Sequence, residues 1–463
     1  MRGERIAEYF LHAVRVVSTA SEQVHHESHR PHRLTCWPHP SHSLNGHIRN
    51  RLQTMRILLV VVYYSPSTTS AARMMRELAL EYVRQGHQVI AATPSNSVEG
   101  ACSITEEDGV TVVRVRTGDM RGSNKVVRMW RESRLSRTMW QGARKFFEDN
   151  PCDLVIFYSP TIFWGDLVNR LKSMWGCPSY LILRDIFPKW AVDTGILREG
   201  MLFRYLKRKE LAQYAAANMI GAEAPGDLSY FREELRGLGL RVEVLYNWLD
   251  TREKPTSVSG WRQRLGLEGK VVFFYGGNIG VAQDLDNIVR LAAGLRNRED
   301  IFFLLMGSGS EVKRLTAEIE SRSLRNVRIH PPIPQKEYME CLSECDVGLV
   351  SLDRRLRSHN FTGKLLGYVL CGKPILASVS QGHDLIGLLH RTGAGCACTN
   401  GEDESLRATA LLLASDPETR ERMGRNACAL GDTMFSVRVI ARQILSSLEF
   451  EIDEVQNAVP GPT

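Results

Sequence analysis

From Met55 onward, short runs of apolar, mostly β-branched residues alternate with longer stretches whose apolar positions recur three and four apart. The first such run, Arg56-Ile-Leu-Leu-Val-Val-Val-Tyr63, has no polar position between its ends, as a strand covered on both faces of a parallel sheet requires. A Ser/Thr/Pro stretch at 64–70 follows, and then Met74, Met75, Leu78 and Tyr82 share one helical face. Gly86-His87 closes that helix, and Gln88-Val-Ile-Ala-Ala92 predicts the next strand, which completes a βαβ unit. Similar runs at 110–115, 154–158, 180–183, 219–222 and 242–245 extend a first sheet. The rhythm restarts at 271–275 and continues at 301–306, 327–329, 347–350 and 374–377. Two such series predict an α/β chain with two doubly wound, Rossmann-like domains facing a central cleft. The join falls near Tyr246-Asn-Trp-Leu-Asp250, before the polar, Pro-containing segment 251–259. On this reading residues 55–247 form the first domain and 248–435 the second, while 436–463 return to the first domain as a helix and tail.

Composition narrows the classes. The chain has 463 residues, and its longest apolar run, 57–64, is far short of the ~20 residues a spanning helix needs, which excludes a transmembrane enzyme. Residues 1–54 are unlike the rest: they hold eight of the thirteen histidines, seven Arg, four Glu and no Lys. His12 and Arg15 interrupt the only stretch that resembles a signal-peptide core, and the histidines keep no ligand spacing. We read 1–54 as a disordered leader, or as translation assigned from too early a start with Met55 the true first residue. The formal charge of +7 is too small for a dedicated nucleic-acid binder. The ten cysteines contain no CxxC pair, so reduced thiols and a cytoplasmic location are expected. Cys341 and Cys345 fit one helical face, Cys396 and Cys398 sit in a Gly-rich stretch read as a loop, and neither pair has zinc-ligand spacing.

Ligands of parallel αβ sheets bind beyond the carboxyl ends of the strands, where helix N-termini offer unpaired N–H groups and partial positive charge to phosphate. Four loops of the second half are chemically loaded. In Gly276-Gly-Asn-Ile-Gly280 the glycines permit close backbone approach to a ligand, and Asp284 is placed to cap a helix beginning at Leu285. Asp284-Leu-Asp286 also spells DxD, a metal–diphosphate triplet, but capping is the simpler reading. Gly307-Ser-Gly309 lacks the third glycine of a dinucleotide fingerprint, since Val312 occupies its place, which argues against a nicotinamide or flavin enzyme. Asn360-Phe-Thr-Gly-Lys364 puts a lysine at a helix start, suited to a diphosphate, with a solvated basic turn as the alternative. Gly382 and Asp384 either meet sugar hydroxyls or cap the next helix. In the first half, Arg184-Asp185 ends a strand as an ion-pair-capable doublet, structural or aimed at the reacting groups.

Taken in order and spacing, Arg184-Asp-Ile-Phe-Pro188, Asn247-Trp-Leu-Asp250, Gly277-Asn-Ile-Gly280, Gly307-Ser-Gly309, and Gly363-Lys364 with Cys371-Gly-Lys-Pro374 resemble the family 4 glycosyltransferases of GT-B architecture. The resemblance runs from Met55 to Phe450 and is greatest to the WbuB branch, which adds an amino-deoxysugar such as N-acetylfucosamine during O-antigen or capsule assembly. It implies a retaining transfer from a nucleotide sugar, usually a UDP-sugar, to a polyprenyl-diphosphate-linked saccharide, with no cofactor and no obligatory metal. The donor is expected on the second domain, the acceptor on the first. The implied catalytic residues are Arg184, Asp185 and Lys364. The implied donor contacts are Gly277, Asn278, Gly280, Gln283, Gly307, Gly309, Asn360, Thr362, Gly363, Gly382 and Asp384. Three departures mark a variant branch: His359 and Gly367 stand where many members carry a glutamate pair, Asn278 and Gln283 replace an Arg and a Lys, and Arg184 replaces a His. A nucleotide-sugar 2-epimerase and a non-catalytic nucleotide-sugar-binding partner are the alternatives.

Residues 121–145 hold eight basic residues and one acid, Glu132, interleaved with Trp130 and Trp140. Leu135, Met139, Ala143 and Phe146 share a helical face, so 121–147 reads as a peripheral element for an anionic inner-membrane surface, with burial of that face on the sheet as the alternative. Lys207-Arg-Lys209 with Phe203 and Tyr205 offers a second patch. No nucleic-acid-binding motif accompanies either.

Overall fold

The computed structural model describes residues 54–67, 69–118, 125–193, 197–254, 259–356 and 361–449. The leader expected at 1–54 lies outside the described residues save for Thr54, as do 121–124 of the basic segment, His359, Asn360 and the tail from 450.

Eight strands form the first sheet: β1 (Arg56–Val60), β2 (Gln88–Ser95), β3 (Cys102–Glu107), β4 (Val110–Arg116), β5 (Leu154–Tyr158), β6 (Ser179–Ile182), β7 (Met219–Ala222) and β8 (Val242–Val244). Their order is β3-β4-β2-β1-β5-β6-β7-β8. Only β3 runs antiparallel, paired with β4. It is an edge strand exposed along much of both faces, so it carries no apolar run and periodicity does not announce it. Along β1, alternate residues serve opposite faces. Leu58 and Val60 lie under the helices Leu135–Asp149 and Gly165–Trp175, whereas Ile57 and Leu59 lie under Ser70–Arg84 and Val437–Ser446.

Six strands form the second sheet: β9 (Val271–Asn278), β10 (Ile301–Ser308), β11 (Val327–His330), β12 (Val347–Ser351), β13 (Ile375–Val379) and β14 (Gly395–Thr399), ordered β11-β10-β9-β12-β13-β14 and parallel throughout. The Cys396–Cys398 segment, read above as a loop, is therefore a strand. Its Gly395 is required because a Cβ there would come within 2.1 Å of the Ile375 carbonyl oxygen. Strand order reverses at β1 in one sheet and at β9 in the other, and such switch points are where crevices for ligands open.

The chain crosses between the sheets twice, side by side. Leu249 N donates to Phe435 O, and Val437 N donates to Leu249 O, each at 2.9 Å. Trp248, fully buried, donates its indole N–H to Met74 O at 2.9 Å. Arg84 pairs with Asp250 at 3.0 Å and Arg252 with Glu81 at 2.6 Å, which ties the first helix to the outgoing linker. The helix Val437–Ser446 buries Val437, Ile440, Ala441, Ile444 and Leu445 against the first domain.

The helix Leu135–Asp149 corrects the membrane-face expectation. Leu135, Met139, Ala143 and Phe147 are buried in the first core, and Phe146 packs against its edge, so this apolar face is occupied by the sheet. What faces solvent is Trp130, with the Arg134 guanidinium 4.8 Å from its ring, and the basic edge of Arg137, Arg144 and Lys145. In the second patch, Lys207 pairs with Glu210 at 2.8 Å and Lys209 with Asp166 at 3.0 Å. Those two charges are spent within the fold. Among the described residues no helix is long and apolar enough to cross a membrane.

Candidate functional site

A cavity of about 820 Å³ opens where the second sheet reverses. Gly276 and Gly277 at the end of β9, Gly307 and Ser308 at the end of β10, and Gly363 and Lys364 after β12 form one wall. Ser70, Arg73 and Glu77 of the first-domain helix and Asp250, Glu253 and Lys254 of the linker form another. The cavity thus takes residues from both domains.

Lys364 begins the short helix Lys364–Leu370. Its Nζ lies 4.7 Å from the Tyr275 ring centroid, and among the described residues no carboxylate pairs with it. Burial pulls its ammonium down to about 8 from the ordinary lysine value. Gly277, at φ 136°, leaves the space beside it: a Cβ there would lie 3.7 Å from Lys364 Cε. Across the cavity Glu77 forms an ion pair with Arg73 at 3.2 Å, but its second carboxyl oxygen is buried without a partner. Burial, reinforced by Glu253 and Asp250 and opposed by Arg73, pushes Glu77 up to about 7.

The structure separates the other expected donor contacts. Gly307 and Gly277 are partners in the β9–β10 pairing, and a Cβ on Gly307 would stand 1.8 Å from Gly277 O. A Cβ on Gly309 would meet Ile279 O at 2.0 Å. Gly307 lines the cavity, but Gly309 does not; its glycine answers to strand packing. Asn278, Gly280 and Gln283 also lie off the cavity wall and close on one another. The Gln283 side-chain oxygen accepts from Asn278 Nδ2 at 2.8 Å and from Gly280 N at 3.3 Å. Asp284 is left-handed at φ 41° and gives its carboxylate to Asn400 Nδ2 at 2.8 Å, so it does not cap the following helix as expected. Asp286 is held by Arg314 at 2.6 Å, so both acids of the DxD triplet have protein partners. Thr362 Oγ1 is buried without a partner. Asn360 lies outside the described residues.

Gly382 is left-handed, with φ 78° and open space where a Cβ would be. The next helix is capped by His383, whose Nδ1 accepts from Leu385 N at 3.1 Å, rather than by Asp384. The Asp384 carboxylate reaches the first domain, where it accepts from Gly226 N at 3.0 Å.

Arg184 and Asp185 leave the end of β6 without forming the expected ion pair. The Arg184 guanidinium donates to Leu183 O at 2.9 Å and Tyr246 O at 3.4 Å, and lies 5.5 Å from the Trp248 ring centroid. Burial and the charge of Asp227 push Asp185 up to about 6, against the pull of Arg184. Sequence reasoning missed the groups beside it. Glu223, one residue past β7, is pushed up to about 8 by burial, with Arg184 opposing and Asp227 and Asp185 reinforcing. Asn247 donates to Glu223 at 2.5 Å. The available signal was position, since Glu223 directly follows a predicted strand.

Comparison with known proteins gives this architecture its relatives. HepE from Anabaena, in a structure described as a complex with UDP and glucose, superposes with a TM-score of 0.61 over 86% of this chain and 100% of its own, at 17% identity. The fold is GT-B. Residues 259–429, which contain the glycine-lined wall and Lys364, match the family model for Glycosyl transferases group 1. The Pseudomonas aeruginosa protein WbjE, named for a glycosyltransferase role, is 24% identical over 51% of this chain, which spans only 60% of WbjE's length. The Escherichia coli (strain K12) protein WcaI, whose name assigns it to colanic acid biosynthesis as a glycosyl transferase, is 24% identical over 76% of this chain and 90% of its own.

Proposed function

We propose that this GT-B protein is a glycosyltransferase of surface-polysaccharide synthesis. It moves a sugar, of the N-acetylfucosamine type, from a UDP-linked donor to a polyprenyl-diphosphate-linked saccharide, with retention. The observation that carries the reading is Lys364: a half-buried ammonium with no carboxylate partner among the described residues, at the wall of an interdomain cavity beside glycine backbone. A charge drawn partly out of water with no counter-charge is disfavoured, and an anionic ligand offsets that cost. A departing diphosphate gains negative charge as the glycosidic bond breaks. A preorganised cation at that point is worth about 3–4 kcal/mol of transition-state stabilisation. The group 1 match over this wall and the UDP in HepE support the same assignment. In this reading Lys364 supplies the charge without a required metal. The enzyme works at the cytoplasmic face of the inner membrane, touching anionic lipid through Trp130 and the basic edge beside it.

The test is nucleoside-diphosphate release from a panel of UDP-, GDP- and dTDP-sugars, with and without a polyprenyl-diphosphate saccharide, and with EDTA. Acceptor-dependent UDP release that survives EDTA is expected, and Lys364→Ala lowers it roughly 10²-fold or more. UDP-sugar conversion without any acceptor would instead indicate an epimerase, and binding without turnover a non-catalytic partner.

A further inference from the structure

Four carboxylates line the Lys364 cavity: Glu77, Asp250, Glu253 and Glu340. Glu77 is engaged by Arg73, and Asp250 by Arg84 and Arg252. Glu253 is exposed on the linker, opposite the glycine wall. Glu340 differs from all three. It stands on the helix Gln335–Ser343 of the second domain, the domain that also carries Gly277, Gly307 and Lys364. Its side chain is half-buried, and among the described residues no ion pair or hydrogen bond engages its carboxylate. The helix that begins at Lys364 packs on this one at Gly367, where a Cβ would lie 3.1 Å from Leu342 Cδ2 and 3.9 Å from Met339 Sδ. Gly367 is on the cavity wall three residues beyond Lys364 but offers a ligand no side chain. Glu340, next to Met339, is therefore the one carboxylate of the second-domain wall among the described residues.

A nucleoside diphosphate with its phosphates at Lys364 carries its ribose a few bonds further along the same wall. The ribose of a ribonucleotide presents two neighbouring hydroxyls, and a carboxylate presents two oxygens that accept from both. Hydrogen bonds to a carboxylate are charge-assisted and about twice as strong as neutral ones. A 2′-deoxyribose can make only one of the two. Resting on the UDP-sugar reading, we propose that Glu340 holds the 2′- and 3′-hydroxyls of the donor's ribose and makes the enzyme select ribonucleotide sugars over deoxyribonucleotide sugars. The donor class narrows accordingly: a UDP-sugar satisfies Glu340 fully, and a dTDP-sugar leaves one of its oxygens without a donor.

The test is titration of UDP and of 2′-deoxy-UDP into the full chain and into Glu340→Ala, Glu337→Ala and Lys364→Met. The parent is expected to bind UDP at least about tenfold more tightly than 2′-deoxy-UDP. Glu340→Ala is expected to weaken UDP about tenfold and to narrow that gap to about threefold or less. Glu337, on the same helix but off the cavity wall, keeps the parent's gap when changed to Ala. A parent without a gap overturns the proposal, as does a gap that persists in Glu340→Ala. Lys364→Met reports on the donor reading separately, because it weakens both nucleotides alike and leaves the gap in place. UDP binding by Lys364→Met equal to that of the parent strikes the diphosphate assignment and leaves the ribose comparison standing, whereas a parent that binds neither nucleotide overturns both.

Discussion

At the scale of single residues, the same letters answer to two different demands. Gly277 and Gly307 line the cavity, but the reason Gly307 is glycine is the neighbouring strand, whose carbonyl would lie 1.8 Å from any Cβ. Gly307→Ala must therefore part β9 from β10. Overpacking of this kind typically costs 1–3 kcal/mol, so a lowered midpoint of thermal unfolding is expected. Gly363→Ala, where nothing lies within 4 Å of the added carbon, serves as the control and leaves the midpoint near that of the parent. Glu223 carries a second residue-scale prediction. Its carboxyl titrates near 8 in the folded chain and near 4.5 unfolded, so between those values the folded state holds a proton that the unfolded state has lost. Stability from this group is complete below about 4.5 and is lost as pH rises through 8. Denaturant titrations at pH 5 and pH 8.5 should show a smaller difference in Glu223→Gln than in the parent protein.

At the scale of elements, periodicity identified faces but not what covers them. The spacing of Leu135, Met139 and Ala143 is a genuine helical face. A membrane and a sheet satisfy the same pattern equally, and only the three-dimensional structure puts β4 and β5 beneath it. Met139→Ala is expected to destabilise the fold by about 2–5 kcal/mol, as a fully buried side chain does on truncation. Trp130→Ala changes stability by no more than about 0.5 kcal/mol but weakens cosedimentation with vesicles containing anionic phospholipid. Parallel strands buried on both faces were legible because they read as unbroken apolar runs. The edge strands β3 and β14 were not: one is exposed, and the other is short and rich in glycine and cysteine.

At the scale of the whole molecule, two alternating αβ series were enough to imply two doubly wound sheets facing a cleft, and the family resemblance added the GT-B class. Spacing along the chain was not enough to say which loops share a cavity. Lys364, Gly363, Gly277 and Gly307 meet there, whereas Arg184, Asp185 and Asp384 gather at a separate seam. That division depends on how the domains face each other, which is set by the paired crossings at Leu249 and Ser436 and by the last helix. Ile444, fully buried in the first-domain core, holds that helix down. Ile444→Ala is expected to cost about 2–5 kcal/mol in a denaturant titration, even though it lies in neither site.

The central claim is that Lys364 holds the donor's diphosphate, and calorimetric titration of UDP into the protein and into Lys364→Met tests it most directly. The account predicts at least about tenfold weaker binding by the variant. It also predicts that affinity in the parent protein falls as pH rises past about 8, where the free ammonium loses its proton, and that the variant shows no such fall. Equal affinity of the two proteins for UDP, with the same dependence on pH, would contradict it.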